Sequence, residues 1–213
     1  MLSVKDVNKT QDGKVMLKNA SFTIGREDKV ILLGNPLAKT ALLQMLAEEN
    51  EPESGTIKWG VTTSRAYLPL DNSKFFEGSE QSLVEWLRQY SPDDQTETFL
   101  RGFLGRMLFS GEEVNKKPSV LSGGEKVRCM LSKMMLNSAN VLLLDEPMNH
   151  LDLESIQALN DGLIAFKGAM IFTSHDQQFI QTVANRVIEI RDDGTVVAKL
   201  ASYDEYLEWK EKN

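Results

Sequence analysis

Apolar and polar positions along the chain follow two alternating patterns. Short apolar runs, typical of buried strands, occupy residues 29–34, 141–144 and 169–173. Between such runs lie segments in which apolar residues recur every three or four positions, and the first of these places Leu42 and Leu46 on one helix face. Because strands and helices alternate, the pattern predicts an α/β fold with a largely parallel sheet.

Both ends of the chain break this alternation. Strand-like segments at residues 2–7 and 18–24 are joined by a polar turn, which predicts an antiparallel start. Two more short strands, near residues 187–190 and 195–200, are predicted to be edge strands. The predicted sheet is therefore parallel in its middle and different at its margins.

Residues 79–137 carry a mostly helical pattern, in which residues 125–136 form one methionine-rich helix. No flexible linker divides the chain. We therefore predict a single domain over residues 1–213, in which an α/β core with an antiparallel β subdomain (1–78 and 138–213) carries a helical insertion. The apolar stripes of that insertion consist of Leu83, Trp86, Leu87, Phe99, Leu100, Phe103, Leu104 and Met107.

The composition is that of a water-soluble globular protein, with 41% hydrophobic and 26% charged residues. No apolar run approaches the roughly 20 residues that a membrane helix needs, and the first residues read as a strand and not as a signal peptide. The net charge of −7 gives no general attraction to nucleic acid or anionic lipid. The one cysteine, Cys129, cannot form an internal disulfide, which predicts a cytoplasmic protein. We expect Cys129 to lie in the core. We expect no membrane partner.

The segment VLLLDEP at residues 141–147 is the strongest single indication of chemistry. Its four apolar residues predict a central strand, and α/β sheets bind ligands at the carboxyl ends of their strands. Asp145 at that end suits Mg²⁺, a hard ion that prefers oxygen ligands, and Glu146 suits the polarisation of a water molecule for attack on a γ-phosphate. The alternative is a strand followed by a solvated acidic turn.

The segment LSGGE at residues 121–125 begins a predicted helix. Ser122 and Glu125 fit a capping box, which is a purely local role. Gly123 and Gly124 also bare backbone N–H groups at the helix start, so that an anion such as phosphate can approach closely. The position of this segment shortly before the acidic pair makes the phosphate interpretation far more specific than the five residues alone.

Two further polar residues follow predicted strands. His175 comes two residues after the strand at residues 169–173, where an imidazole can reach and sense a γ-phosphate, although a lone histidine is more often structural. Asp152 ends the segment MNHLD at residues 148–152 and precedes the next helix. Its local alternative is the N-cap of that helix.

Together these residues resemble the ATP-binding-cassette (ABC) family over essentially the whole chain. Residues 121–125 look like its signature motif, residues 141–146 like its Walker B motif, residues 149–152 like its D-loop and His175 like its H-switch. The resemblance implies a P-loop NTPase (RecA-like) core with a helical signature subdomain and the cofactors ATP and Mg²⁺. It also implies a second cassette paired head to tail, either in the same full-length chain or in a homodimer. It assigns catalysis to Glu146 and His175, and metal binding to Asp145. It assigns nucleotide binding to Ser122, Gly123, Gly124 and Asp152.

Two local sequences resemble the ABC-F subfamily in particular. They are NHLD at residues 149–152 and SYDEYL at residues 202–207. ABC-F proteins are soluble, carry two cassettes in one chain, have no membrane domain and typically act on the ribosome. The resemblance implies that this chain is the second cassette of such a protein, with the first cassette and the ribosome as partners.

The phosphate segment, residues 34–40, departs from the family pattern. The family's Walker A motif reads GxxxxGK[ST] and cradles phosphates with successive N–H groups, whereas this segment reads GNPLAKT, one residue short and without the glycine before the lysine. Pro36 has no N–H to donate, and Leu37 and Ala38 cannot readily take the φ > 0 conformations of glycine. The residues that would still contact the nucleotide are Gly34, Asn35, Lys39, Thr40 and Ala41, with Thr40 also a Mg²⁺ ligand.

Two other positions of the nucleotide face are altered. Gln11 stands where the family stacks adenine on an aromatic side chain, and Leu70 stands where its Q-loop glutamine is expected. Because the signature and the acidic pair match the family, we expect an asymmetric pair of cassettes. In that pair this chain's own Walker A binds ATP weakly, and its signature completes the partner's site.

Two alternatives remain open. In the first, the chain is a non-catalytic module in which ATP only holds the two cassettes together. In the second, it is the ATPase subunit of a membrane transporter, against which the altered Q-loop position and the NHLD sequence both argue.

Overall fold

The computed structural model describes residues 1–91 and 96–212. Residues 92–95, in the predicted helical insertion, and Asn213 lie outside this description. The strands are β1 Leu2–Gln11, β2 Lys14–Ile24, β3 Lys29–Gly34, β4 Ser54–Trp59, β5 Arg65–Leu68, β6 Val141–Leu144, β7 Ala169–Phe172, β8 Arg186–Ile190 and β9 Val196–Lys199. The α-helices are α1 Pro36–Leu46, α2 Leu83–Arg88, α3 Glu97–Arg106, α4 Gly123–Leu136, α5 Leu153–Ala165, α6 Gln177–Val183 and α7 Tyr203–Glu211.

The chain divides into two compact units. The sheet unit comprises Met1–Pro69, Asn140–Glu146 and Lys167–Asn213, and the helical unit comprises Leu70–Ala139 and Pro147–Phe166. The sequence pattern assigns residues 147–166 to the α/β core, whereas in the structure they group with the helices. The single domain with a helical insertion at residues 79–137 stays a prediction.

The sheet unit contains a six-stranded sheet in the order β5-β6-β7-β3-β8-β9 and a three-stranded sheet in the order β2-β1-β4. The first five strands of the larger sheet are parallel and β9 is antiparallel to β8, while the smaller sheet is antiparallel throughout. These arrangements confirm the α/β class and the antiparallel start. Gly34 lies in the centre of the larger sheet, at the carboxyl end of β3.

The prediction of two edge strands near the end of the chain is wrong for the first of them. β8 lies between β3 and β9, so only β9 forms an edge. Val187, Ile188 and Ile190 of β8 are each at most 1% exposed. A strand buried on both faces needs mostly apolar residues, and the one buried carboxylate of β8, Glu189, accepts a hydrogen bond from Tyr206. The pairing order depends on contacts with β3, which is distant in sequence.

The core of the sheet unit lies among the two sheets and α1. Its buried side chains come from β1, β2, β3, β6, β7 and β8, and Leu42, Leu43 and Leu46 of α1 are fully buried there. This burial confirms the predicted face of α1. It also fixes the start of α1, and therefore the phosphate segment, against the carboxyl end of β3.

In the helical unit, α2 confirms its predicted apolar stripe, since Leu83, Trp86 and Leu87 are at most 1% exposed. Cys129 is fully buried in α4, as expected of a core residue. In the apolar stripe of α3, Leu100 and Leu104 are fully buried, whereas Phe99 is 37% exposed. Across residues 1–91 and 96–212, the helices are too short or too polar to cross a membrane.

Candidate functional site

The phosphate segment is a capped helix start. Only Asn35 separates the end of β3 from the start of α1 at Pro36. The side-chain oxygen of Asn35 accepts a hydrogen bond from the Leu37 N–H at 2.9 Å, and its backbone carbonyl accepts one from the Lys39 N–H at 3.0 Å. Proline suits the first helical position because its φ is already helical and its N–H is not needed. The segment therefore does not form a loop of free N–H groups.

Gly34 cannot carry a side chain in this arrangement. Its φ is +110°, and an added Cβ would lie 1.9 Å from the carbonyl oxygen of Ile190 in β8. The glycine is therefore required by the contact between adjacent strands, whatever its role toward a ligand. Ala41, which the resemblance places at the nucleotide, is 3% exposed inside α1, where its methyl group lies in the core.

Asp145 is held by two hydroxyl groups at the carboxyl end of β6. Thr40 Oγ1 donates to one carboxylate oxygen at 2.7 Å, and Thr173 Oγ1 donates to the other at 2.9 Å. Thr173 also accepts a hydrogen bond from the Glu146 N–H at 2.8 Å. Because Asp145 is 3% exposed, these bonds satisfy a carboxylate that burial would otherwise destabilise.

Glu146 pairs with two basic side chains. Its Oε1 lies 3.7 Å from Lys39 Nζ and 3.4 Å from His175 Nε2. The Lys39 and Glu146 side chains are 8% and 10% exposed, whereas His175 is 78% exposed. The centre of the cluster is therefore a buried ion pair with a histidine at its open side.

The signature segment begins α4 with a complete capping box. Ser122 Oγ accepts from the Glu125 N–H at 3.2 Å, and the Ser122 N–H donates to Glu125 Oε2 at 2.8 Å. Lys116 Nζ lies 2.7 Å from Glu125 Oε1. Burial acts to raise the pKa of Glu125, but the hydrogen bonds from Lys116 and Ser122 outweigh it and lower that pKa below its usual range. The local capping role predicted from the sequence is confirmed.

The signature glycines meet the segment that follows β6. An added Cβ at Gly124 would lie 2.4 Å from the His150 carbonyl oxygen, and one at Gly123 would lie 3.3 Å from the His150 Cβ. His150 itself has a φ of +66°. The two glycines are thus needed for close packing within the helical unit, in addition to any role toward an anion.

Asp152 caps α5, as its local alternative proposed. Its side chain accepts from the Ser155 N–H at 2.8 Å. The backbone and side-chain hydrogen bonds from Ser155 lower the pKa of Asp152 below its usual range. A contact between Asp152 and a nucleotide stays a prediction.

Each unit brings together part of the predicted site. The sheet unit joins the phosphate segment to Asp145, Glu146 and His175, and the helical unit joins Ser122 to the two glycines. Sequence reasoning missed Thr173, Asn35 as a cap and His150. The Asn35-Pro36 pair was a readable signal, since an N-cap residue followed by proline is typical of a helix start.

The fold and the site together define the class of protein. A parallel sheet carries an acidic pair and a lysine-bearing helix at the carboxyl ends of its strands. A separate helix begins with the LSGGE sequence. These features together define an ATP-binding cassette. Comparison with protein families matches residues 17–149 to the family described as ABC transporter, and the chain belongs to that family. ABC cassettes bind ATP.

Three relatives illustrate the similarity. The uncharacterised ABC transporter ATP-binding protein YkpA of Bacillus subtilis (strain 168) is 66% identical over 98% of this chain and 38% of its own length. The probable ATP-binding protein YbiT of Escherichia coli O157:H7 is 37% identical over 98% of this chain and 39% of its own length. The energy-dependent translational throttle protein EttA of Escherichia coli (strain K12) is 31% identical over 100% and 39%, respectively. The chain thus spans about two-fifths of the length of these relatives.

Solved structures confirm the predicted fold. The ATP-binding cassette MJ0796, as a dimer in a post-hydrolysis state bound to ADP and Pi, has a TM-score of 0.79 and 17% identity, with 94% of this chain and 98% of that chain covered. Another dimeric structure of MJ0796, a bacterial ABC transporter cassette, has a TM-score of 0.76 and 18% identity, covering 92% and 96%.

Proposed function

We propose that this chain is the second cassette of an ABC-F protein and acts with another cassette on the ribosome in the cytoplasm. The NHLD sequence at residues 149–152 supports the subfamily. The 31% identity with EttA, named as a translational throttle, extends over the whole chain and supports the process. The share of about two-fifths of each relative's length leaves room for a further cassette.

The two cassettes contribute unequally in this proposal. One observation carries it: both helix starts are capped, but the Ser122 cap bonds the Glu125 N–H and spares those of Gly123 and Gly124, whereas the Asn35 cap bonds the Leu37 N–H next to Pro36, which has none. The signature of this chain completes the ATP site of the partner cassette, and its own phosphate segment binds ATP weakly.

The residues fit Mg²⁺ better than they fit the phosphates. Thr40 in the first turn and a half of α1 and Asp145 after β6 present neighbouring oxygen atoms of the kind that Mg²⁺ prefers. The ion, when bound, would supply charge neutralisation to phosphate oxygens. Gly34, Asn35 and Lys39 do not form a phosphate cradle, because Asn35 caps the helix and Lys39 is paired with Glu146. Glu146 and His175 would act in catalysis only if a nucleotide bound at this chain's own phosphate segment.

Calorimetry tests the weak site directly. We expect the 213-residue chain to bind Mg-ATP more weakly than about 1 mM, since a cradle of N–H groups is missing. Binding in the low micromolar range would overturn the proposed asymmetry.

A variant of Ser122 tests the signature in a full-length two-cassette protein that contains this chain. Ser122→Asp keeps an equally good N-cap but places a negative charge where a phosphate would bind. We expect ATP turnover to fall at least about tenfold, a loss of about 1.4 kcal/mol of transition-state stabilisation, with an unchanged melting temperature. Unchanged turnover would remove the signature from the mechanism.

The buried Lys39–Glu146 pair favours a second candidate, a non-catalytic module that ATP holds to its partner. Ser122→Asp and Glu146→Gln in the full-length protein together separate the two candidates. Unchanged turnover in both variants favours the non-catalytic module, a loss in Ser122→Asp alone favours the proposed asymmetric pair, and a strong loss in Glu146→Gln overturns the weak role of this chain's own face.

A further inference from the structure

The polar groups of the phosphate segment satisfy one another. We infer that this chain's phosphate-binding face is filled from within: the Asn35 side chain takes the position of a phosphate oxygen at the start of α1, and the Glu146 carboxylate takes the position of a phosphate at Lys39. The inference rests on the proposed function and names the cause of its weak site. That cause is a pair of internal contacts, which occupy the Leu37 N–H and the Lys39 ammonium group in addition to the N–H that Pro36 lacks.

The first contact uses the N–H group that a phosphate would need. Phosphate bound at a helix start accepts hydrogen bonds from the first free N–H groups. Pro36 has none, and the Leu37 N–H donates to Asn35 at 2.9 Å. Among the first three residues of α1, only Ala38 keeps an N–H for another acceptor. Asn35 is uncharged, so it satisfies the helix start without attracting a cation.

The second contact uses the lysine. Lys39 Nζ lies 3.7 Å from Glu146 Oε1, and both side chains are at most 10% exposed. A phosphate oxygen that approaches Lys39 must displace a buried carboxylate and leave it beside another negative charge. Separating a buried pair in this way is costly. Lys39 is therefore present but already neutralised.

Two substitutions should uncover the site. Asn35→Gly frees the Leu37 N–H, and Glu146→Gln removes the carboxylate that holds Lys39. In the 213-residue chain that carries both, we expect calorimetry to show binding of Mg-ATP and of inorganic tripolyphosphate at least about tenfold tighter than in the unsubstituted chain. Tripolyphosphate has no adenine, so its binding reports the phosphate contacts and is independent of Gln11.

Matched controls distinguish the loss of the two internal contacts from a general destabilisation of the sheet unit. Asn35→Asp keeps the cap acceptor, so we expect it to bind Mg-ATP and tripolyphosphate no more tightly than the unsubstituted chain does. Ser202→Gly removes the cap of α7 in the same unit, where Ser202 accepts from the Glu205 N–H, and is expected to bring no gain. A third variant replaces residues 34–40 with an eight-residue segment of the form GxxxxGK[ST], which restores the family spacing. Circular dichroism checks that each variant is folded.

Each outcome decides the inference. A gain in the double variant but in neither control supports it. Tighter binding only in the variant with the restored spacing, or in no variant, overturns the inference. The proposal that this chain's own site is weak would then still hold. Low-micromolar binding by the unsubstituted chain overturns both the inference and the proposed asymmetry.

Discussion

The start of α1 and the start of α4 obey the same local rule with opposite results. Each helix has a side-chain cap, Asn35 in the first and Ser122 in the second. After the cap, α1 continues with Pro36 and an exposed Leu37, whereas α4 continues with two glycines. Of its first three residues, the first start leaves only the Ala38 N–H for another acceptor, whereas the second leaves the N–H groups of both glycines. Capping by itself therefore does not define an anion site.

The surroundings of the two helix starts differ as well. In the sheet unit, the residue after the acidic strand, Glu146, forms a buried pair with Lys39. In the helical unit, Glu125 turns back into its own capping box and pairs with the half-exposed Lys116. The comparison shows that the same capping rule leaves different polar groups available for a ligand, depending on the neighbouring residues. Four predictions test this comparison.

Lys39→Met should have the largest effect on stability. It leaves the Glu146 carboxylate buried without its lysine, and we expect the free energy of unfolding to fall by about 3 kcal/mol in urea denaturation. The double variant Lys39→Met/Glu146→Leu removes both charges and should recover most of that loss. An equal loss in the single and double variants would show that the pair does not stabilise the sheet unit.

Gly124→Ala should break the packing of the signature segment. The new Cβ would lie 2.4 Å from the His150 carbonyl oxygen, so we expect a loss of about 2 kcal/mol and a lower melting temperature. The matched control is Gly162→Ala in α5, where an added Cβ meets no atom within 4 Å and should stabilise by about 0.5–1 kcal/mol. Equal melting temperatures for the two variants would contradict the close contact.

Removal of either cap should cost the same stability, but only one of the two changes should affect ATP turnover. Asn35→Ala and Ser122→Ala each remove one capping acceptor, and each should cost about 1 kcal/mol in thermal or chemical denaturation. We expect only Ser122→Ala to reduce ATP turnover in the two-cassette protein. If Asn35→Ala reduces turnover equally, the two helix starts are equivalent and the comparison fails.

The pH dependence of the Glu125 capping box should be the smallest effect. The pKa of this carboxyl is lowered in the folded chain, so its stabilisation is fully present above the unfolded pKa of about 4.3 and is lost as the pH falls through the folded pKa. The difference in melting temperature between the unsubstituted chain and Glu125→Gln should therefore shrink in acid.

Lys116→Met is the control for that titration. It removes the hydrogen-bonding partner that contributes most to the lowering, so the pKa of Glu125 measured by carboxyl NMR should rise toward its usual value. A difference in melting temperature that does not change with pH would show that the carboxylate form is not what stabilises the box.

Much of the fold could be predicted because its signals are local. The apolar run of β6 and the face of α1 are both read from neighbouring residues, and both are confirmed. The interior position of β8 could not be read, because it depends on pairing with β3, more than a hundred residues away in the chain. The exposure of Phe99 could not be read either, since a periodic pattern does not say which members of an apolar stripe contact other elements.

The candidate site divides in the same way. The sequence by itself determined the family, the capping box of Ser122 and Glu125, and the loss of the glycine before Lys39, since each depends on residue types at short spacing. Only the tertiary structure decided that Thr173 and Thr40 share Asp145, that Lys39 is neutralised by Glu146, and that Gly124 is required by the His150 carbonyl. These contacts join residues from separate strands and helices, and no local pattern encodes the distances between them.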